Sequence, residues 1–190
     1  MEWRRLPGTD PADPHGIADL LARACEVVSS SAVKGTRFLF TTDEMLRISR
    51  EIEQSAMVDP CEPLYVGVQH GYRLDAQMDV YTILTAAGVR IHAFGVDDGT
   101  GVPDVAWTRV PEDSYALSSQ WFLVRGGSAP QALVGFELTS DPDGLRRWEG
   151  FATRDRDLVE GIIEHLRSHS RHGRSAASAG ARTAQGPDRA

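Results

Sequence analysis

The sequence predicts an α/β fold of the mixed α+β kind: a single mixed β-sheet with one βαβ unit, an antiparallel meander and flanking helices. Two observations lead to this prediction. Residues 64–95 have the pattern of a strand, a helix and a strand, which is typical of a right-handed βαβ unit with parallel strands. Residues 121–138 then have the pattern of two strands joined by a glycine-containing connection, which is typical of an antiparallel hairpin.

The first elements begin at recognisable caps. Asp13-Pro14 predicts the start of a helix, and residues 37–40 predict a short strand. Thr41 and Glu44 form a capping-box pattern at the head of a second helix. Apolar residues at helical spacing predict its core face: Met45, Ile48, Ile52 and Ala56. Its predicted solvated face carries charges: Arg47, Arg50, Glu51 and Glu53.

The βαβ unit follows a turn-rich break. Leu64–Gln69 is apolar at nearly every position, which predicts a strand buried on both faces. Asp75 is a candidate cap for the helix that follows, which carries Met78, Tyr81, Ile83, Leu84 and Ala87. Gly88 stands where a left-handed residue ends a helix. Residues 89–95 predict the second strand, and the glycine-rich residues 95–101 a flexible loop.

The second half predicts strands at 105–110, 121–124 and 131–138, with residues 148–151 as a group at the sheet edge. Thr153 or Asp155 is the predicted cap of the last helix. The apolar side of that helix consists of Leu158, Val159, Ile162, Ile163 and Leu166.

Composition bounds the class of protein. A 190-residue chain with 41% hydrophobic and 25% charged residues is ordinary for one globular domain. We expect a flexible N-terminus at 1–12, one domain at 13–167 and a disordered tail at 168–190. Two cysteines, no secretory h-region and no apolar run of roughly 18 residues predict a cytoplasmic protein without membrane contact.

Charge is unevenly distributed along the chain. Residues 167–190 hold five arginines against one aspartate, which gives this segment a net charge of +4. Because the whole chain has a net charge of −7, the preceding residues have a net charge of −11. An acidic body argues against direct nucleic-acid binding.

Signatures of catalysis and of metal binding are missing from the sequence. There is no GxSxG, GxxxxGK[ST], HExxH or GxGxxG after a strand, so we predict no enzyme, no catalytic residues, no metal and no cofactor. His165 and His169 are four residues apart, but they lack a third ligand and are interpreted as surface residues.

Three residues are the candidate ligand contacts. Gln69 and His70 stand at the carboxyl end of the first parallel strand, where ligands of open α/β sheets tend to bind. Trp121 is the third, because an aromatic side chain beside a strand can line an apolar pocket. The alternatives are an ordinary loop histidine and core packing for Trp107, Trp121 and Trp148.

Four stretches resemble the DICT sensory domain of bacterial signalling proteins: "LRISREIEQ" (46–54), "YVGVQHGYRL" (65–74), "SSQWFLV" (118–124) and "RRWEGFATRDRDLVEGI" (146–162). The likeness covers roughly residues 34–166. It adds Ser49 and Glu53, the serine and glutamate of the early helix, as ligand-binding candidates. His70 and Gln120 stand where the family often has arginine and glutamate, so the resemblance implies no charged-ligand role at these positions.

The resulting functional prediction is a stand-alone bacterial sensory domain that binds a small ligand or a protein partner. It would signal through a separate output protein, a transcription regulator or signalling enzyme. We also predict a homodimer, because Val159, Ile163 and Leu166 exceed what one helix face must bury. The alternatives are a protein–protein adaptor with an exposed apolar patch on helix 158–166, and an enzyme of unrecognised type.

Overall fold

The computed structural model describes residues 38–97, 99–110, 120–138 and 146–167. Several sequence predictions lie outside these ranges: the N-terminus at 1–12, the helix from Asp13-Pro14, His169 and the tail at 168–190. In the described ranges no helix has both the length and the apolar character needed to span a bilayer.

Seven strands form one mixed sheet, which confirms the predicted α/β class. Their order across the sheet is β1-β7-β6-β5-β2-β3-β4. The strands are β1 (Phe38–Thr41), β2 (Leu64–Gln69), β3 (Ile91–Gly95), β4 (Val105–Arg109), β5 (Gln120–Arg125), β6 (Gln131–Leu138) and β7 (Arg147–Thr153). The helices are α1 (Thr42–Val58), α2 (Gly71–Asp75), α3 (Met78–Ala86) and α4 (156–167).

The strand β2 lies inside the sheet, as the sequence predicts. It pairs in parallel with β3, where Leu64 lies opposite Ile91, and antiparallel with β5, where Leu64 lies opposite Arg125. All six of its residues are buried. Strands β5, β6 and β7 form the predicted antiparallel meander.

For two predicted strands, the expected position in the sheet is wrong. The strand β4 pairs in parallel with β3, so the sheet has a second parallel pair that the sequence did not indicate. The segment 148–151 belongs to β7, which lies between β1 and β6 and is not an edge. Both errors concern long-range pairing, which local periodicity does not encode.

The helix α1 begins at the predicted capping box. The Glu44 carboxylate accepts a hydrogen bond from the Thr41 backbone N–H at 2.8 Å, and Thr41 Oγ1 accepts one from the Glu44 N–H at 3.2 Å. Its buried face differs from the prediction, because Ser49 and Glu53 join Met45, Ile52 and Ala56. Placing Glu53 on the solvated face was wrong, since only 2% of it is exposed.

The predicted single helix after β2 is two helices, α2 and α3. Asp75 is therefore the last residue of α2 and not an N-cap. Within α3, Tyr81 and Leu84 are buried, whereas Met78 and Ile83 are exposed. Gly88 has φ +87°, which confirms the predicted left-handed residue after the helix.

The sheet has a hydrophobic core on each face. One contains residues of α1, α2 and α3, including Met45, Leu74 and Leu84. The other contains every apolar residue predicted for the last helix: Leu158, Val159, Ile162, Ile163 and Leu166. Because these side chains are buried inside the chain, they offer neither the predicted surplus for a dimer nor the apolar patch expected of an adaptor.

The N-terminus of α4 resolves the choice between two caps. The Asp155 carboxylate accepts a hydrogen bond from the Leu158 N–H at 3.0 Å, so Asp155 is the cap. His165, predicted to lie on the surface, is half-buried in this helix. Burial lowers the pKa of His165, and the charge of Glu164 opposes this to a smaller degree.

Candidate ligand-binding site

A cavity of about 240 Å³ lies where the ends of three strands, β2, β5 and β7, meet the first turn of α1 and the helix α2. The carboxyl end of β2 adjoins the start of β5, because these strands are antiparallel, with Gly67 opposite Phe122. The same pairing rule brings the end of β6 beside the start of β7, where Glu137 lies opposite Trp148. The sheet topology thereby gathers residues distant in sequence around one cavity.

The apolar part of the cavity wall comes from several elements: Leu46, Val68, Ala76, Trp121 and Trp148. The two indoles meet edge to face, with ring centroids 5.5 Å apart and an interplanar angle of 79°. Trp148 is also a core residue and donates from its indole nitrogen to Thr42 Oγ1 at 3.3 Å. Trp121 and Trp148 therefore form a rigid corner of the cavity.

Gln69 reaches the cavity through an irregular backbone. In a regular strand, the side chains of Val68 and Gln69 would point to opposite faces of the sheet. A register shift between Gly67 and Gln69, together with φ +66° at Gln69, breaks the alternation. The Gln69 side chain consequently lines the same cavity as Val68, and it is 3% exposed. A left-handed backbone is uncommon for a residue other than glycine.

Two glutamines that line the cavity have side-chain amides without hydrogen-bond partners among the described residues. Gln69 and Gln120 are almost fully buried, and within the described ranges neither the side-chain nitrogen nor the oxygen of either residue is paired. Buried amides in proteins are nearly always hydrogen-bonded, and an unsatisfied polar group costs roughly 1–3 kcal/mol. The wall of the cavity therefore contains two buried amides whose four polar atoms pair with no described residue.

Two arginines complete the polar part of the wall, and they differ in their charge balance. Arg146 is neutralised by Glu137, to which it donates twice, at 2.5 and 2.6 Å, and its guanidinium also lies 5.1 Å from the Trp148 ring. This pairing lowers the pKa of Glu137. Arg73 lies 5.9 Å from the Tyr72 ring and has no carboxylate partner among the described residues. The cavity is consequently positive on the Arg73 side.

A buried polar network connects the cavity wall with the interior of the helical layer. Gln77, between α2 and α3, lines the cavity and accepts a hydrogen bond from Arg50 at 2.5 Å. Arg50 also pairs with Glu53 at 2.5 Å. Burial raises the pKa of Glu53, although Arg50 and the Tyr81 hydroxyl act against it. Burial, followed by the charge of Glu53, raises the pKa of Tyr81 well above 10.0.

The structure brings together two of the five predicted ligand contacts. Gln69 and Trp121 line the cavity. His70 does not: it is the N-cap of α2, its ring stacks on Tyr72 at 5.4 Å, and its Nδ1 lies 3.8 Å from Asp97. Ser49 is also outside the cavity, and its hydroxyl donates to the Met45 carbonyl at 2.8 Å. Glu53 reaches the cavity only through Arg50 and Gln77.

Sequence reasoning missed Gln120, Arg73 and Arg146 as cavity residues, whereas for Trp148 both core packing and a pocket wall were considered, and the structure places it in both. Gln120 precedes Trp121 at the start of a strand, and this adjacency was the available signal for it. Arg73 follows the end of β2 by four residues, but nothing in its spacing indicates a helix turning back over the strand end. In the described ranges no group of three or more His, Cys, Asp or Glu side chains could hold a metal ion.

In comparisons with known proteins, no family model, no curated protein and no solved structure matches the chain.

Proposed function

We propose that this chain is a cytoplasmic bacterial sensory domain that binds a small molecule in the cavity between β2, β5, α1 and α2. The observation that carries the proposal is the pair of buried glutamine amides, Gln69 and Gln120, which have no partner within the described structure. A ligand that hydrogen-bonds to them removes an energetic cost that the unliganded fold bears. The resemblance to the DICT sensory family points to the same kind of function.

The cavity wall suggests how binding changes the protein. A bound molecule would contact Leu46 on α1 and Tyr72, Arg73 and Ala76 on or beside α2. Ligand binding shifts a conformational equilibrium only through different affinities for its two states. The short helix α2 is the element whose position decides the size of the cavity, so it is the proposed moving part. Output would pass to a separate protein that recognises the liganded surface.

The proposal is tested by native mass spectrometry of the protein from its native cell, combined with a thermal-shift screen of a metabolite collection. We expect a non-covalent adduct and a compound that raises the melting temperature, because a ligand that binds only the folded state stabilises it by mass action. A variant that fills the cavity, Ala76→Trp, should lose both effects. Ala86→Trp, on the exposed side of α3, is the matched control and should retain them.

Two outcomes would contradict the proposal. If the wild-type protein carries no adduct and no compound shifts its melting temperature, the cavity is not a ligand site. Equal ligand responses of the wild type and Ala76→Trp would place binding elsewhere on the molecule.

A further inference from the structure

We infer that the ligand is a small, flat, uncharged or anionic heterocycle that carries a lactam edge, with an N–H donor beside a carbonyl acceptor. This inference rests on the proposed ligand-binding function and specifies its chemistry. It follows from the size of the cavity, the shape of its apolar wall and the kinds of polar atom that face it.

The size of the cavity suits a part of the ligand of one or two rings. Sites for drug-sized molecules occupy roughly 300–1,000 Å³. A cavity of about 240 Å³ therefore has room for a bicyclic ring.

The apolar wall favours a flat molecule. Trp121 and Trp148 both line the cavity, and their ring planes stand at 79° to each other. An aromatic ring stacked on one indole meets the other at the edge-to-face angle that aromatic pairs prefer. Leu46 and Val68 complete this wall without adding a polar group.

The polar atoms require a ligand that both donates and accepts. A primary amide has two N–H donors and one carbonyl acceptor, so Gln69 and Gln120 together present both kinds of atom. A ligand that only accepts would leave the amide oxygens unpaired, and one that only donates would leave the nitrogens unpaired. A lactam edge is complementary to an amide, because its N–H and its carbonyl are adjacent in one plane.

Charge excludes cationic ligands. The two amides are neutral, Arg146 is neutralised by Glu137, and Arg73 contributes a positive charge that no carboxylate balances in the described ranges. A cationic ring in the cavity would meet this charge without a compensating anion.

The first test uses three bicyclic probes of nearly equal size and measures their affinities by isothermal titration calorimetry. The probes are 2-quinolone, which has the lactam edge, N-methyl-2-quinolone, which lacks the donor, and quinoline, which only accepts. We expect 2-quinolone to bind at least about tenfold more tightly than the other two, which corresponds to roughly one net hydrogen bond.

The second test transfers the comparison to a variant. In Gln120→Met the preference for 2-quinolone over quinoline should become smaller, because only the Gln69 amide remains to pair with the lactam edge, while the affinity for quinoline stays near that of the wild type. The melting temperature of unliganded Gln120→Met should rise, because an apolar side chain of similar length replaces a buried amide without a partner. Gln131→Met, at the start of β6 and outside the cavity, should change neither property.

Equal affinities for the three probes, no binding of 2-quinolone at millimolar concentration, or a preference that is undiminished in Gln120→Met would each overturn the lactam assignment. The proposed ligand-binding function would still be judged by its own adduct and thermal shift. Absence of any adduct or thermal shift would contradict both proposals. Failure of the lactam assignment alone is therefore distinguishable from failure of the proposed ligand-binding function.

Discussion

At the scale of single residues, one of the two left-handed non-glycine residues of the described structure, Gln69, lies at the candidate site, and the other is Asp104. Gln69 combines a left-handed φ of +66° with a buried, unpartnered amide. A non-glycine residue in this region costs of order 1–3 kcal/mol and persists only when its surroundings hold it there. The hydrogen bond from the Val96 N–H to the Gln69 carbonyl, at 2.7 Å, is one such restraint.

Glu53 leads to a prediction about pH. Its pKa lies above the ordinary value of 4.5, because burial outweighs Arg50. The folded state therefore binds this proton more tightly than the unfolded state. The resulting stabilisation is fully present below pH 4.5 and is lost as the pH rises through the raised pKa. We expect Glu53→Gln to show a smaller loss of unfolding free energy than the wild type over that interval, measured by urea denaturation.

Glu51→Gln, on the exposed face of the same helix, is the control and should retain the wild-type pH profile. A Glu53→Gln profile that matches the wild type at every pH would show that the Glu53 proton does not contribute to the pH dependence of stability.

At the scale of elements, the described parts of the connection between β3 and β4, residues 96–97 and 99–104, are hydrogen-bonded to α2. The Asp97 carboxylate accepts from the Gly71 N–H at 2.9 Å, and Asp75 accepts from the Gly101 N–H at 2.7 Å. Val102 is 4% exposed in the core beneath the helices. The glycines predict a flexible loop; in the structure the Asp97 carboxylate binds the backbone of α2, and the Asp75 carboxylate binds the backbone of the connection.

The approach of this connection to α2 leads to a second prediction. A Cβ atom at Gly71 would collide with the Gly99 carbonyl oxygen, which belongs to backbone and is not able to rotate away. Gly71→Ala should lower the unfolding free energy by about 1–3 kcal/mol, the usual range for overpacking. Denaturant titration followed by tryptophan fluorescence measures the change.

Gly101→Ala is the matched control in the same connection, since its Cβ would meet only ordinary contacts from 3.4 Å outward. We expect it to change stability by less than about 1 kcal/mol. Equal stability of the two variants would mean that α2 and the connection separate without cost.

At the scale of the whole molecule, the sheet is covered on one face by α1, α2 and α3 and on the other by α4, and each side has its own core. The cavity lies on the face that α1, α2 and α3 cover. The helix α2, which has five residues, lines this cavity. The side of α4 is filled: Val159 and Leu166 are 0% exposed.

The role of α4 leads to a third prediction. Val159→Asp places a carboxylate in the core against the sheet, and burying an unpaired charge is among the most destabilising single changes. We expect a loss of several kcal/mol, seen as lost near-ultraviolet circular dichroism. Glu160→Asp, at an exposed neighbouring position, should leave the spectrum unchanged.

Light scattering of the same proteins tests the predicted homodimer separately. A folded Val159→Asp variant that merely dissociates from dimer to monomer would show that this residue lies in a subunit interface and not in the core of the chain.

The sequence by itself determined the elements and their local ends. The capping box at Thr41 and Glu44, the left-handed Gly88 and the apolar stripe of α4 all follow from patterns within a few residues. The parallel pairing of β2 with β3 was also predictable, because a strand, a helix and a strand close in sequence have one preferred handedness.

Only the tertiary structure decided the candidate site. The cavity depends on the pairing of β2 with β5, two strands that are separated along the chain by β3 and β4, and on the pairing of β6 with β7. The burial of Glu53, the turned side chain of Gln69 and the inclusion of Gln120 and Arg73 all depend on those neighbours. Hydrophobic periodicity tells which face of an element is buried, but it does not tell which other element covers it.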